Sequence, residues 1–237
     1  MGKEAFEMND LLSNSTFFGV AISILTYEIG VLLKKKFKIA IFNPLLISIA
    51  SVIAFLVIFN IDYDSYYEGA KYLGYLLTPA TVCLAVPLYE QISLLKKHFK
   101  AIIGGIISGV ITSLVSIFVM SVMFRLNHKE YVTLLPKSIT TAIGMGVSDE
   151  LGGIVTITVA VIIITGVLGN IIAESVCRLF KIKEQVAIGI AIGSSSHAVG
   201  TAKAMELGDI EGAMSSLSIA VAGLLTVLGA SIFAGFI

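Results

Sequence analysis

Residues 190–208 read IAIGSSSHAVGTAKAMELG, which places Ser194, Ser195, Ser196, His197, Thr201 and Lys203 within ten positions of an otherwise apolar stretch. Hydroxyls, an imidazole and an ammonium group are suited to holding a small anion. If a half-helix begins near His197, Ser194–Ser196 cap it, and its free backbone N–H groups favour negative charge. His197 and Thr201 then share a face at i, i+4, with Lys203 about one turn beyond His197 and slightly to the side. Gly193 and Gly200 permit close approach of backbone or ligand. Ordinary helix packing is the alternative, because Ser, Gly and Ala line membrane interfaces. Packing explains any one serine. It explains clustered Ser, His and Lys poorly, since ionisable groups inside a bilayer are costly without a role.

Two other stretches carry similar chemistry. In YLLTPATVCLAVPLYEQ, Thr78 precedes Pro79 as an N-cap precedes a proline at the first helical position, with Thr81 close behind and Pro87 bending the segment. A Pro-kinked packing helix is the competing reading there. In LLPKSITTAIGMGVSDELGG, Lys137, Ser138, Thr140 and Thr141 are candidates for ligand contact. Asp149 and Glu150 either coordinate an ion or complement the N-terminus of the following helix. Lys137 either meets a ligand or snorkels to the interface. His197, Asp149 and Glu150 are the candidates for proton or ion coupling, His197 because its charge changes in the physiological range.

The elements that must position these groups are membrane helices. The chain has 237 residues, 57% of them hydrophobic and 14% charged, with a mean hydropathy of +0.97. That composition belongs to the membrane class. Net charge is zero and no basic block occurs, so nucleic acid is not an expected partner. Cys83 and Cys177 lack metal-ligand or disulfide-framework spacing. No metal or cofactor is expected, and the acidic N-terminus does not read as a cleaved secretory signal.

By the requirement of about 20 apolar residues per span, clear spans fall at 15–33, 40–59, 101–124, 154–177 and 212–236. Interrupted apolar segments fall at 72–95, 131–150 and 185–205. Lys34, Lys35, Lys36 and Lys38, then Lys96, Lys97 and Lys100, mark the inside, and the acidic NIDYDSYYEGAK loop reads as external. A re-entrant 131–150 keeps Arg178, Lys181 and Lys183 inside and Glu206, Asp209 and Glu211 outside. The expectation is therefore an all-α, polytopic protein, a single integral domain over residues 1–237 with halves 15–124 and 131–237. It has seven spans plus a re-entrant segment, its N-terminus outside and its C-terminus inside. The trios 40–124 and 154–236 run oppositely, each with its broken helix in the middle, which is the pattern of an inverted-repeat transporter. In that arrangement Ser194–His197 lie near mid-membrane, close to Thr78–Thr81.

The stretches LTPATVCLAVPLYEQ, LLPKSITTAIGMGVSDELGGI and GSSSHAVGTAKAMELGDIEGAMSSL resemble the LrgB/CidB family of bacterial membrane proteins. The resemblance covers residues 70 to the C-terminus by motif, and SHAVGTAKA is its most specific part. Ala142 departs from it, standing where the family pattern has Pro after the paired threonines. The resemblance implies a cell-membrane protein described as antiholin-like, modulating murein hydrolase activity and autolysis with a small LrgA/CidA-type partner. It also implies kinship with a plastid glycolate/glycerate translocator and with bacterial proteins linked to pyruvate uptake. Two functions follow as expectations. The residues favour transport of a small monocarboxylate, since half-helix starts, hydroxyls and a cation suit a carboxylate with an adjacent hydroxyl or keto oxygen. The alternative is an antiholin-like regulator acting by oligomerisation in the bilayer. An enzyme is not expected: Ser195 and His197 are two apart and face away from each other on a helix, and no HExxH occurs.

Overall fold

The computed structural model describes residues 15, 17–37, 42–76, 79, 82–83 and 85–237. Among the described residues the regular structure is helical throughout, as expected. The helices are α1 (Phe18–Phe37), α2 (Pro44–Ile58), α3 (Tyr63–Gly74), α4 (Ala85–Glu90), α5 (Ile92–Phe124), α6 (His128–Leu134), α7 (Thr141–Glu150), α8 (Val155–Leu179), α9 (Gln185–Leu207) and α10 (Asp209–Phe233), closed by a 3-10 turn at Ala234–Phe236. Among the described residues three helices are long and apolar enough to cross a bilayer: Ile92–Phe124, Val155–Leu179 and Asp209–Phe236. Two compact units divide the chain, Met1–Cys83 and Leu84–Ile237.

In the first unit α1 packs on α2 and α3 through small residues. A side chain at Gly30 would overlap the Pro44 backbone, and one at Gly19 would overlap Tyr66 and Ala70. Thr26 and Ser48 hydroxyls meet at 3.0 Å across α1 and α2. The N-cap of α2 is Asn43, whose side chain accepts from Leu45 N, with Pro44 in the first helical position. The 60–71 stretch, expected as a loop, is largely the helix α3. Its acidic and tyrosine-rich composition conceals a helical period: Tyr63, Tyr66 and Tyr67 share a side, and Ser23 and Tyr66 hydroxyls meet at 2.9 Å. Glu28 is exposed on α1.

The second unit is built around α5, α8, α9 and α10. The Lys96–Lys100 stretch, expected as a loop before a span, is instead the first part of a 33-residue α5, kinked where His98 leaves helical geometry (φ −111°, ψ 17°). One stripe of α5, Ile102, Ile106, Val110, Leu114 and Ile117, is buried at near-fourfold spacing. Helices α5 and α8 end with Arg125 and Lys181 in left-handed geometry, and Leu126 N–H and Ile182 N–H reach back to Ser121 and Cys177 carbonyls.

Residues 131–150 do not form one helix. They hold the end of α6 and all of α7, separated by a turn at 135–140, and neither helix reaches spanning length. Asn127 and Glu130 make a capping box that starts α6. The pair is pinned to the start of α8, where the Thr158 hydroxyl lies 2.7 Å from Ser148 Oγ and 2.9 Å from the Thr133 carbonyl. Tyr131 Oη donates to the Phe233 carbonyl at 3.0 Å and ties α6 to α10.

Helix α9 lies at the centre. Gly189 and Gly193 press against the α10 backbone at Glu211 and Ser215, while Gly105 and Gly109 of α5 receive Ile190 and Ser194. Gly166 and Gly169 of α8 receive His197 and Ser196. Side chains at Gly193 or Gly169 would overlap these neighbours, so the helices approach through small residues as membrane helices do.

Candidate functional site

Helical geometry in α9 breaks at a single residue, His197, with φ 43° and ψ −143°. The expected interruption is therefore present at the expected place. Its chemistry differs from expectation. Residues up to Ser196 remain helical, so Ser194 and Ser195 hydroxyls reach back to the Ile190 and Ala191 carbonyls, each at 2.7 Å, instead of capping the second half-helix. The break is held from outside α9. His197 Nε2 lies 2.9 Å from the Ile162 carbonyl; a carbonyl can only accept, so this nitrogen carries the proton. Asn170 Nδ2 donates to the Val199 carbonyl at 2.7 Å. Thr201 Oγ1 donates to the His197 carbonyl or shares a hydrogen with Ser215 Oγ at 2.7 Å. A side chain at Gly200 would overlap Ser196 Cβ and press on Ile192, eight residues back, so α9 folds back on itself at His197. Met205 meets Gly212 just as Gly189 meets Glu211, and Leu207 and Glu211 share one cleft with Arg178, Lys181 and Lys183. The expected single crossing over 185–205, with Glu206, Asp209 and Glu211 on the side opposite to Arg178, Lys181 and Lys183, is therefore not what the structure forms.

On the other side of α9 the turn at 135–140 delivers a cation. Lys137 Nζ donates to Ser138 Oγ at 2.8 Å and to Ser113 Oγ at 3.4 Å, and Ser113 Oγ donates to Ser138 Oγ at 3.2 Å. The ammonium is half-buried, and no acidic side chain among the described residues pairs with it. It has three donors, so after two serine bonds one remains for an anion. A cavity of about 390 Å³ surrounds it, lined by Thr112, Ser113, Ser116, Ser138, Ser194 and Ser195. A second cavity of about 390 Å³ reaches Lys137 from the α8 side along Thr165, Gly169, Ser195 and Ser196.

The structure thus gathers Lys137, Ser138, Ser194, Ser195 and Ser196 from the sequence candidates. It does not bring the others to the cavity. His197, Gly200 and Thr201 are buried on the α8 and α10 sides, where they hold the break. Lys203 is 3.5 Å from Glu174 and 3.3 Å from Glu206, so its charge is already matched. Thr140 is the N-cap residue of α7 without a side-chain cap bond, and Thr141 opens that helix; neither lines a cavity with Lys137. Asp149 and Glu150 are exposed in the last turn of α7, four residues before α8, so they do not stand at a helix N-terminus. Pro79 is exposed in a helical turn; Thr78 and Thr81 lie outside the described residues. No group of three or more potential metal ligands occurs among the described residues.

The span over 101–124 is present within α5, but its hydroxyl face is absent from the sequence candidates. Ser108, Thr112 and Ser116 recur every fourth residue through an apolar span, with Ser113 beside them. That period is a legible signal of a polar face on a membrane helix, and hydropathy averaging hides it.

A family model described as the LrgB-like family matches residues 23–236. Antiholin-like protein LrgB of Bacillus cereus is 34% identical over 222 residues, covering 93% of this chain and 96% of that protein. Antiholin-like protein LrgB of Bacillus anthracis matches with the same identity and coverage. No solved structure matches. The chain belongs to the LrgB-like family.

Proposed function

We propose that this member of the LrgB-like family acts in the membrane as an antiholin-like protein, the role its relatives carry in their names. The supporting observation is that the similarity runs through 96% of the relatives' length, cavity segments included. The role implies restraint of murein hydrolase activity and autolysis together with an LrgA/CidA-type small membrane protein. The test is expression in a bacterium lacking its own LrgB-type protein. Slower detergent-induced autolysis and weaker bands in murein hydrolase zymograms are expected, along with co-purification of the small partner. Unchanged lysis at verified membrane expression overturns the reading.

A second reading rests on a different observation, the Lys137 ammonium. An unmatched cation among serine hydroxyls, within a chain of this hydropathy, is a place for an exogenous anion. Transport of a small monocarboxylate of the glycolate, glycerate or pyruvate type suits it. Two broken segments, 131–150 and 185–205, meet at this cavity, in keeping with transporters that bind substrate at discontinuous helices. The seven-span inverted repeat, the external N-terminus and the internal C-terminus belong to this reading, whereas a homo-oligomeric assembly belongs to the antiholin-like one. Proton coupling through His197 would have to break the bond its ring makes to the Ile162 carbonyl. Counterflow of labelled glycolate or pyruvate in proteoliposomes is expected, and its absence with folded protein removes the reading. Full pH-dependent uptake by His197→Gln removes the proton role alone.

A further inference from the structure

The cavity at Lys137 is not isolated. A third cleft, of about 610 Å³, continues from it between α5 and α9 and shares Ser108, Gly109, Ala191 and Ser194 with it. At its other end the lining residues are His98, Glu184 and Gln185. Helices α5 and α9 run parallel here, since Gly105 meets Ile190 and Gly109 meets Ser194. The mouth therefore lies at the end bearing Lys96, Lys97 and Lys100, and Lys181 and Lys183 just precede Gln185. Ten residues of α9 separate Gln185 from Ser195, roughly 15 Å of helix, or about half of a 30 Å hydrocarbon core.

Past Lys137 the character changes. Ser116 is the last hydroxyl of the cavity, and at the level of Phe118 on α5 the fully inaccessible Tyr131 packs with Leu135 and Ile139 in one apolar cluster. The wall before Lys137 is different: Ser108 and Thr112 are exposed to the cleft, as hydroxyls in contact with water would be.

We infer that α5 and the first half of α9 form a water-filled half-channel, open at the lysine-bearing, cytoplasmic end and closed beyond Ser116, by which a small carboxylate reaches the ammonium. This deepens the transport reading and rests on it for the identity of the anion. The hydroxyls of α5 are its polar wall, Lys137 its terminus, and the Tyr131–Leu135–Ile139 packing its closed end. The mouth itself is lined by His98, Glu184 and Gln185, with the lysines of α5 and of the 181–183 stretch around it.

Sided cysteine labelling tests it. The two native cysteines, Cys83 and Cys177, are replaced by alanine, and Ser108→Cys, Thr112→Cys or Ile111→Cys is introduced into the full chain. Ile111 is exposed but lines neither the cleft nor the Lys137 cavity, and serves as the lipid-facing reference. A membrane-impermeant charged methanethiosulfonate is added to inside-out and right-side-out vesicles. Because only the hydrated thiolate reacts, Ser108→Cys and Thr112→Cys are expected to label about tenfold faster than Ile111→Cys, and only from the cytoplasmic face. Rates equal to that of Ile111→Cys overturn the half-channel, and so does faster labelling from the outer face. Labelling requires no turnover, so the two ideas separate. Counterflow without sided labelling removes the half-channel and leaves the transport reading; sided labelling without counterflow does the reverse.

Discussion

Helices α9 and α10 are neighbours of almost equal length, 23 and 25 residues, and both carry a run of serines among glycine and alanine. Locally the serines behave alike. Ser194 and Ser195 bond to carbonyls four residues back, and so do Ser216 and Ser218. Their surroundings separate them. Ser215 and Ser218 are completely buried on an unbroken helix, whereas Ser195 is open to a cavity beside a helix break and 137-turn lysine. Clustered hydroxyls in a membrane helix are thus a packing device by default. They become a site only where another segment supplies a charge and room beside them.

Substitutions can break this comparison, and the largest effect should come from the surface the two helices share. Gly193→Leu forces a side chain into the Ser215 backbone, which cannot move aside, and should cost about 3 kcal/mol of stability through overpacking. Gly104→Leu, where nothing lies within 4 Å, is the control. Thermal melting in detergent reads both, and equal melting points would contradict the close approach of α9 and α10.

Lys137→Met should leave the fold intact while removing about 2 kcal/mol of anion binding, some thirtyfold in affinity, as expected for a charged hydrogen-bond donor. Glycolate or pyruvate titration measures it. Ser216→Ala on α10 should leave the same affinity unchanged.

Asn170→Leu withdraws the donor from the Val199 carbonyl beside the break and should cost about 1.5 kcal/mol, the penalty of a buried group left without its partner. Hydrogen exchange should accelerate in 198–204 of α9 and not in α10. Uniform acceleration would mean that the break has no separate support.

The comparison is sharpest for single hydroxyls. Ser195→Ala should weaken anion binding about threefold with stability unchanged, and Ser218→Ala should lower stability by about 1 kcal/mol with binding unchanged. The smallest effect is expected from Lys203→Gln, no more than about 0.5 kcal/mol of stability, because its partners Glu174 and Glu206 are about half exposed and salt-screened.

Much of this is legible in the amino-acid sequence. The segments at 101–124, 154–177 and 212–236 emerge within α5, α8 and α10, because continuous apolar length is a property of the sequence itself, whereas 185–205, expected to cross as one broken span, folds back at His197. The interruption at 131–150 and the break near His197 also announce themselves, the former through Pro136 and the Lys-Ser-Ile-Thr-Thr run, the latter through polar residues that an unbroken lipid-facing helix would not carry. Helix α3 was hidden because charged and aromatic residues read as an interface loop until their period is followed. The hydroxyl face of α5 was hidden by its strongly apolar neighbours.

The sequence by itself determined that the chain is a helical membrane protein, that one helix breaks at His197, and which side chains could serve an anion. These are consequences of hydropathy, helix length and residue chemistry along one strand of chain. Only the tertiary structure decided among the candidates. It set Lys137 against Ser113 and Ser138, paired Lys203 with Glu174 and Glu206, and turned His197 toward Ile162. Whether a polar group within a bilayer is a ligand contact or a brace depends on what satisfies it. Here those partners lie from 1 to 35 positions away in sequence, and several belong to other helices.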